Sequence, residues 1–272
     1  MSEHAWVRDA LSLIERVGPA GVGVSGGKES LALAGLVASI TPVGTPVFAF
    51  HAVFGPGSKV LDAVIERTAD RWKMRVERYP HPHMSIALRS RLAPDGLGDV
   101  PNMSVRDLAA DLRKKHGLKA VLFGHRLDDP HRPDLPPDGT DGIVWPLRGW
   151  TRTQVIEYLV SRDIPLPPDW GRPDTGIFGL NDACLRWMET NALEDLKRLY
   201  EWFPLGAAHM EMASGPADRP AYAPEVVNRM KTVIARMREL ARTPNGRRGG
   251  HRRRPRVRVR RGTKEVSHDV AS

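Results

Sequence analysis

The stretch AGVGVSGGKESLAL, Ala20 to Leu33, carries three glycine-rich signals that point to different chemistries. Gly21, Gly23 and Gly26 have the G-x-G-x-x-G spacing of a dinucleotide-binding turn. That turn needs a strand before its first glycine and an acid about 20 residues further on for the ribose hydroxyls. Here Pro19 occupies the strand position, and the next apolar run ends at Phe50-His51 without an acid. Gly27-Lys28 looks like the end of G-x-x-x-x-G-K-[ST], but Val22 stands where the first glycine belongs and Glu29 where the Mg2+-binding hydroxyl belongs. Ser25-Gly26-Gly27-Lys28-Glu29-Ser30 remains, placed directly after a strand and opening a helix. Every position suits a pyrophosphate. Gly26 and Gly27 let the backbone approach closely and turn successive N–H groups inward. Ser25 and Ser30 add hydroxyls, and the helix start at Glu29 aims its positive dipole end at the anion. Lys28 supplies a mobile cation for charge that develops on a leaving phosphate.

Working outward, short apolar runs alternate with amphipathic stretches. AGVGV predicts a first strand and residues 29–39 a helix; PVFAFHAV predicts a second strand. Ser58 caps a helix running to about Trp72, with Val60, Leu61, Val64 and Ile65 on one face. MRVERY follows as a third strand, then a helix from Ser104 to Lys115 stopped by Gly117, then KAVLFG as a fourth strand and GIVWPL as a short fifth. Thr151 and Gln154 form a capping box for TQVIEYLVSR. This alternation predicts an α/β fold, doubly wound around a mostly parallel five-stranded sheet, with the loops after strands one, two and four on one carboxyl edge. Ligands bind at that edge. After a Pro-rich loop, Asn191 and Glu194 are expected to start a helix reaching Trp202, and Pro224 one reaching Ala241. The expected organisation is a nucleotide domain over 1–205, a helical extension over 206–242 and a disordered basic tail over 243–272.

Composition narrows the class. No apolar run approaches the roughly 20 residues of a membrane span. The acidic, helix-patterned start MSEHAWVRDALSLIERVG does not read as a signal peptide, so a soluble cytoplasmic protein with no membrane partner is expected. The one cysteine, Cys184, excludes an internal disulfide framework and an iron–sulfur cluster held by this chain's cysteines alone. In its apolar surroundings it reads as a small buried hydrophobe. The net charge of +9 is uneven: from Arg242 onward eleven Lys and Arg face two acids, so the rest of the chain is neutral. Nine arginines crowd into 247–261. Such a run binds polyanions by counterion release. Arg252, Arg253, Arg254, Arg256, Arg258, Arg260 and Arg261 are the expected nucleic-acid contacts, without the aromatics that stack on bases.

Three segments, in order from Val22 to Gly171, resemble the phosphoadenosine phosphosulfate (PAPS) reductase-like branch of the adenine nucleotide α-hydrolase superfamily, the PP-loop ATP pyrophosphatases of HUP type. VSGGKES is similar to the PP-loop. FGHRLDDPHR is similar to that branch's G-x-R-x-x-[DE] segment, and WPLRGWTRTQVIEYLVSRDIPLPPDWG to its P-L-x-x-W-T-x-x-[DE]-V-x-x-Y segment. The resemblance implies ATP or a related adenine nucleotide across the carboxyl edge, bound by Ser25, Gly26, Gly27, Lys28, Glu29, Ser30, Gly124 and Arg126. Lys28 and Arg126 would be the catalytic pair, the guanidinium fork suiting a tetrahedral oxyanion. Against this, Arg126 also reads as the ion-pair partner of Asp128 or Asp129. Asp128, Asp129 and His131 read as a solvated cluster, so no protein metal site is expected, while Glu29 leaves Mg2+ open. Trp150 reads as a packing aromatic. The reductases use a cysteine near the C-terminus, where this chain reads KEVSHDVAS. The expected activity is therefore adenylylation of a substrate with pyrophosphate release, with nucleic acid as a candidate acceptor brought in by the tail. The alternatives are a sulfonucleotide reductase using an external thiol, and a non-catalytic nucleotide-binding module that delivers the tail. The sequence leaves oligomerisation open.

Overall fold

The computed structural model describes residues 4–45, 47–89, 97–128, 136–168, 182–203 and 224–241. The tail arginines, Asp129, His131 and residues 169–171 lie outside them. Five strands, β1 (Ala20–Gly23), β2 (Val47–Val53), β3 (Met74–Pro80), β4 (Ala120–Leu122) and β5 (Ile143–Val144), form one sheet in the order β3-β2-β1-β4-β5, and every pairing is parallel. The order reverses at β1, so the loops after β1 and β4 sit side by side at the switch point.

Side chains on successive strand residues face opposite sides. Val22, Ala49, Leu122 and Val144 enter one core; Phe50, Val121 and Ile143 enter the other. On the first side lie α1 (Ala5–Val17), α2 (Lys28–Ile40), α3 (Lys59–Trp72) and α6 (Arg152–Ser161). On the second lie α4 (Pro82–Arg89), α5 (Val105–His116), α7 (Asp182–Asn191), α8 (Leu193–Trp202) and α9 (Pro224–Ala241). The sheet is thus doubly wound. α2 is buried from Ser30 through Val37, which is why its sequence is apolar all round.

The caps are local and form as their sequences predict. Ser58 Oγ accepts from Leu61 N–H, Ser104 and Asp107 make a capping box, as do Thr151 and Gln154, and Gly117 ends α5 in the left-handed conformation. Two segments differ from the sequence pattern. Residues 82–89 form a short helix where none is expected. Asn191 does not start α8: it closes α7, its side-chain amide donating to Trp187 O, and Ala192 is the α8 N-cap. Trp150 is a packing residue, set edge-on against Trp6 at 4.4 Å and donating from Nε1 to Trp6 O at 3.2 Å.

Gly21 and Gly23 acquire a reason that has nothing to do with nucleotides. A Cβ on Gly21 would lie 2.9 Å from Leu118 and 3.1 Å from the Phe48 ring; one on Gly23 would lie 3.2 Å from both Phe50 and Phe123. The central strand gives up its side chains so that aromatic rings from its neighbours can close over it.

Candidate phosphate-binding site

β1 delivers its chain to the carboxyl edge, where Val24 N–H still bonds Phe50 O at 2.9 Å. The backbone then turns at Gly26, whose φ of +81° favours glycine, and enters α2 from Gly27. A Cβ on Gly26 would also sit 2.9 Å from Leu61 of α3, so the first turn of α3 packs directly behind the loop.

Ser30 closes the loop from inside. Its buried hydroxyl accepts from Ser25 N–H at 3.1 Å and from Ser25 Oγ at 3.2 Å, and donates to Gly27 O at 2.9 Å. In this arrangement the Ser30 proton serves the loop itself, while Ser25 stands exposed at the mouth. Unlike α3, α5 and α6, α2 has no side-chain cap at its start. The first N–H groups of a helix have no carbonyl one turn back to bond. Those of Lys28 and Glu29 therefore present an uncapped positive end at the switch point, a ready place for an anion.

The loop after β4 arrives beside this turn. Gly124 touches backbone: a Cβ there would lie 2.8 Å from Glu29 O and 2.9 Å from Glu29 C. Two residues on, Arg126 is 6% exposed and reaches back across 97 positions to Glu29, with Nε and Nη2 each 3.2 Å from Oε1. Its Nη1 pairs with Asp128 Oδ1. Lys28 Nζ lies 3.1 Å from the same Glu29 oxygen. Lys28, Glu29, Arg126 and Asp128 therefore form one continuous chain of charges whose formal sum is zero. Both predicted catalytic cations are at the site, and both are held by carboxylates.

His51, at the end of β2, supports the strand just ahead of the loop. Its Nδ1 is 2.9 Å from Val24 O, and a carbonyl only accepts, so Nδ1 carries the proton. Burial holds this imidazole below the ordinary value of 6.5; the bond to Val24 opposes that, and the Arg78 charge adds to it.

Among the described residues no group of three or more His, Cys, Asp or Glu is arranged to hold a metal. Cys184 is buried among the α7–α8 apolar residues, 1% exposed. A cleft of about 480 Å³ lies elsewhere, between the edge strand β3, α5 and α9. There Lys115 bonds Glu77 at 2.7 Å and Tyr79 at 3.1 Å, and Lys115 holds the Glu77 carboxyl below its usual range. Within it Lys115 pairs with Glu77 and Arg236 with Asp111, and its lining includes no residue of the phosphate loop. No helix is long and apolar enough to cross a membrane, among the described residues.

The loop, Gly124 and Arg126, all singled out in the sequence, lie together in the structure. Sequence reasoning did not find the Glu29–Arg126 tie, His51 or Asp195, a buried α8 carboxylate that bonds the first turn of α3. Each depends on which strand or helix lies next to which.

No family model matches the chain, and no curated protein matches it. The chain is similar to three solved structures, among others. One is FMN adenylyltransferase from Candida glabrata in complex with FMN and the ATP analogue AMPCPP, 16% identical over 60% of this chain and 57% of that one, TM-score 0.44. Another is PAPS reductase from Candida auris in a phosphate complex, 18% identical over 64% and 88%, TM-score 0.42. The third is the U34-tRNA thiolase NcsA from Methanococcus maripaludis with its [4Fe-4S] cluster, 13% identical over 84% and 88%, TM-score 0.41. The chain thus spans little more than half of that adenylyltransferase and most of the other two.

Proposed function

We propose that this chain is a PP-loop nucleotide-binding protein that takes ATP or a related adenine nucleotide, with its phosphates on Ser25–Ser30, and transfers the adenylyl group with release of pyrophosphate. The observation that carries this reading is the uncapped start of α2, with the Lys28 and Glu29 N–H groups beside the Lys28 ammonium at the switch point of the sheet. In the reaction, an acceptor oxygen or nitrogen forms a bond to the α-phosphorus and loses its proton. The bond from that phosphorus to the bridging oxygen breaks, and pyrophosphate leaves with the electron pair. Lys28 and the helix start neutralise the charge gathering on the leaving group. Arg126 takes an equatorial oxygen on giving up one of its carboxylates, a role its guanidinium fork suits.

The zero net charge of Lys28, Glu29, Arg126 and Asp128 bears on the ligand's form. An anion entering alone must draw the cations away from Glu29 and Asp128. A nucleotide arriving with Mg2+ brings a charge for those carboxylates as well, directly or through water, so the Mg2+ complex is the better match. The arginine run 247–261 would hold a nucleic-acid backbone near the site, making nucleic acid a candidate acceptor. Cys184, the one cysteine of this sequence, is buried, so the sulfonucleotide-reductase alternative would depend on an external thiol, and sulfite release from PAPS with such a thiol tests it.

The test is calorimetric binding of Mg–ATP and of pyrophosphate, with a pyrophosphate-release assay. Lys28→Ala and Arg126→Ala should each weaken binding by about 10- to 100-fold, the scale of a lost charge-assisted hydrogen bond. Unchanged binding and release in both variants would overturn the proposal.

A further inference from the structure

The least expected polar contact in the molecule lies behind the phosphate loop. Asp195 sits in the first turn of α8 and is 2% exposed. Its Oδ2 accepts from Ser58 Oγ at 2.6 Å and from Val60 N–H at 3.2 Å; its Oδ1 accepts from Lys59 N–H at 2.9 Å and from Arg198 Nη1 at 3.3 Å. One carboxylate thus meets the N-terminal ends of two helices, its own and α3, each favouring negative charge. Arg198 also donates from Nη2 to Pro56 O at 2.7 Å. Leu199 and Phe203 close on Gly55, where a Cβ would lie 3.4 Å and 3.6 Å from them. The whole turn from β2 into α3 is held to α8.

That turn is what the phosphate loop rests on. Ser58, bonded to Asp195, receives Leu61 N–H, and the Leu61 side chain packs behind the left-handed Gly26. We propose that Asp195 is a positioning residue for the phosphate loop: the α8 carboxylate fixes the first turn of α3, and Leu61 transmits that position to Gly26. The proposal rests on the reading that Ser25–Ser30 binds phosphates. It adds that α8, more than 130 residues away in sequence, sets how well the loop is formed before the ligand arrives. A loop held in its bound shape loses less freedom on binding, and loosening its support lowers affinity without removing any ligand contact.

The experiment uses the full chain and two readouts, each at a temperature where circular dichroism shows the variant folded. The first is hydrogen exchange of the peptide covering Ser25–Leu31, which needs no ligand. The second is calorimetric titration with inorganic pyrophosphate. Asp195→Asn should speed exchange in that peptide by about tenfold, leave the α6 peptide unchanged, and weaken pyrophosphate binding by about tenfold, within the range for residues coupled to a site without touching its ligand. Leu61→Ala should do the same. The double variant should be no worse than the weaker single one, because both cut the same relay. Glu194→Gln, an exposed neighbour paired with Lys197, should leave both readouts unchanged. A folded Asp195→Asn chain with wild-type exchange at Ser25–Leu31 overturns the relay, as do additive losses in the double variant. Should Asp195→Asn fail to fold, Leu61→Ala and Ser58→Ala decide the matter, and wild-type exchange in both refutes it. A wild-type chain that binds neither pyrophosphate nor ATP counts against the proposed function, while the exchange data still judge the relay.

Discussion

Gly124→Ala is the sharpest local test of the site's architecture. The added methyl would sit 2.8 Å from Glu29 O, 2.9 Å from Glu29 C and 3.1 Å from Glu29 Cβ, where ordinary contact begins near 3.4 Å. About half an ångström must therefore be found, and the opposing atoms belong mostly to helix backbone. Neither side yields easily: Phe123 N–H is bonded to Val144 O at 3.1 Å and Leu127 N–H to Arg148 O at 3.0 Å, while α2 is packed on all sides. Overpacking of this kind costs about 1–3 kcal/mol, and contact between two backbones argues for the upper half, about 2–3 kcal/mol. With a urea slope of roughly 2–3 kcal/mol/M, the unfolding midpoint should fall by about 1 M. The same displacement moves Glu29 relative to Arg126, so pyrophosphate affinity should fall with stability. Gly149→Ala is the control: nothing lies within 4 Å of its added Cβ, and its stability should stay within about 0.5 kcal/mol of wild type. Coincident midpoints for wild type, Gly124→Ala and Gly149→Ala, with unchanged pyrophosphate binding, would refute the close approach of β4 to α2.

Two further outcomes follow from the electrostatics. Glu29→Gln changes the sum over Lys28, Glu29, Arg126 and Asp128 from zero to +1. In Mg2+-free buffer this variant should bind pyrophosphate about fivefold more tightly than wild type, a discounted share of the Coulomb energy of one partly exposed charge; weaker binding would show that Glu29 organises the loop more than it opposes the anion. The His51 imidazole is held below 6.5 by burial, so the unfolded chain takes up a proton there before the folded one does. Its contribution to stability is present above about pH 6.5 and is lost as pH falls toward its lowered folded value. Urea midpoints at pH 7.5 and 5.5 should diverge for wild type and converge for His51→Gln, which keeps a donor for Val24 O but does not titrate; equal slopes in the two proteins would remove His51 as the cause.

The sequence by itself determined what depends on neighbours a few positions apart. The strand–loop–helix order, the Ser58, Ser104 and Thr151 caps, the Gly117 stop and the S-G-G-K-E-S loop all rest on bonds within one turn or on a period of two or 3.6 residues, and the structure carries each of them. Tertiary structure decided everything that depends on which elements become neighbours. The order β3-β2-β1-β4-β5 brings Arg126 to Glu29, a tie that no local pattern foretells, whereas the pairing of Arg126 with Asp128, two positions on, is legible in the sequence. The same order covers β1 with Phe48, Phe50 and Phe123, which turns Gly21 and Gly23 from an apparent nucleotide motif into a packing requirement. Docking of α8 on the β2–α3 turn places Asp195 under Ser58, across 137 positions of sequence. The physical reason is one of range. Hydrogen-bond periodicity and capping are satisfied along the chain, whereas burial, charge pairing and close backbone approach are satisfied across it, by partners that only the assembled sheet and its two helical layers bring into contact.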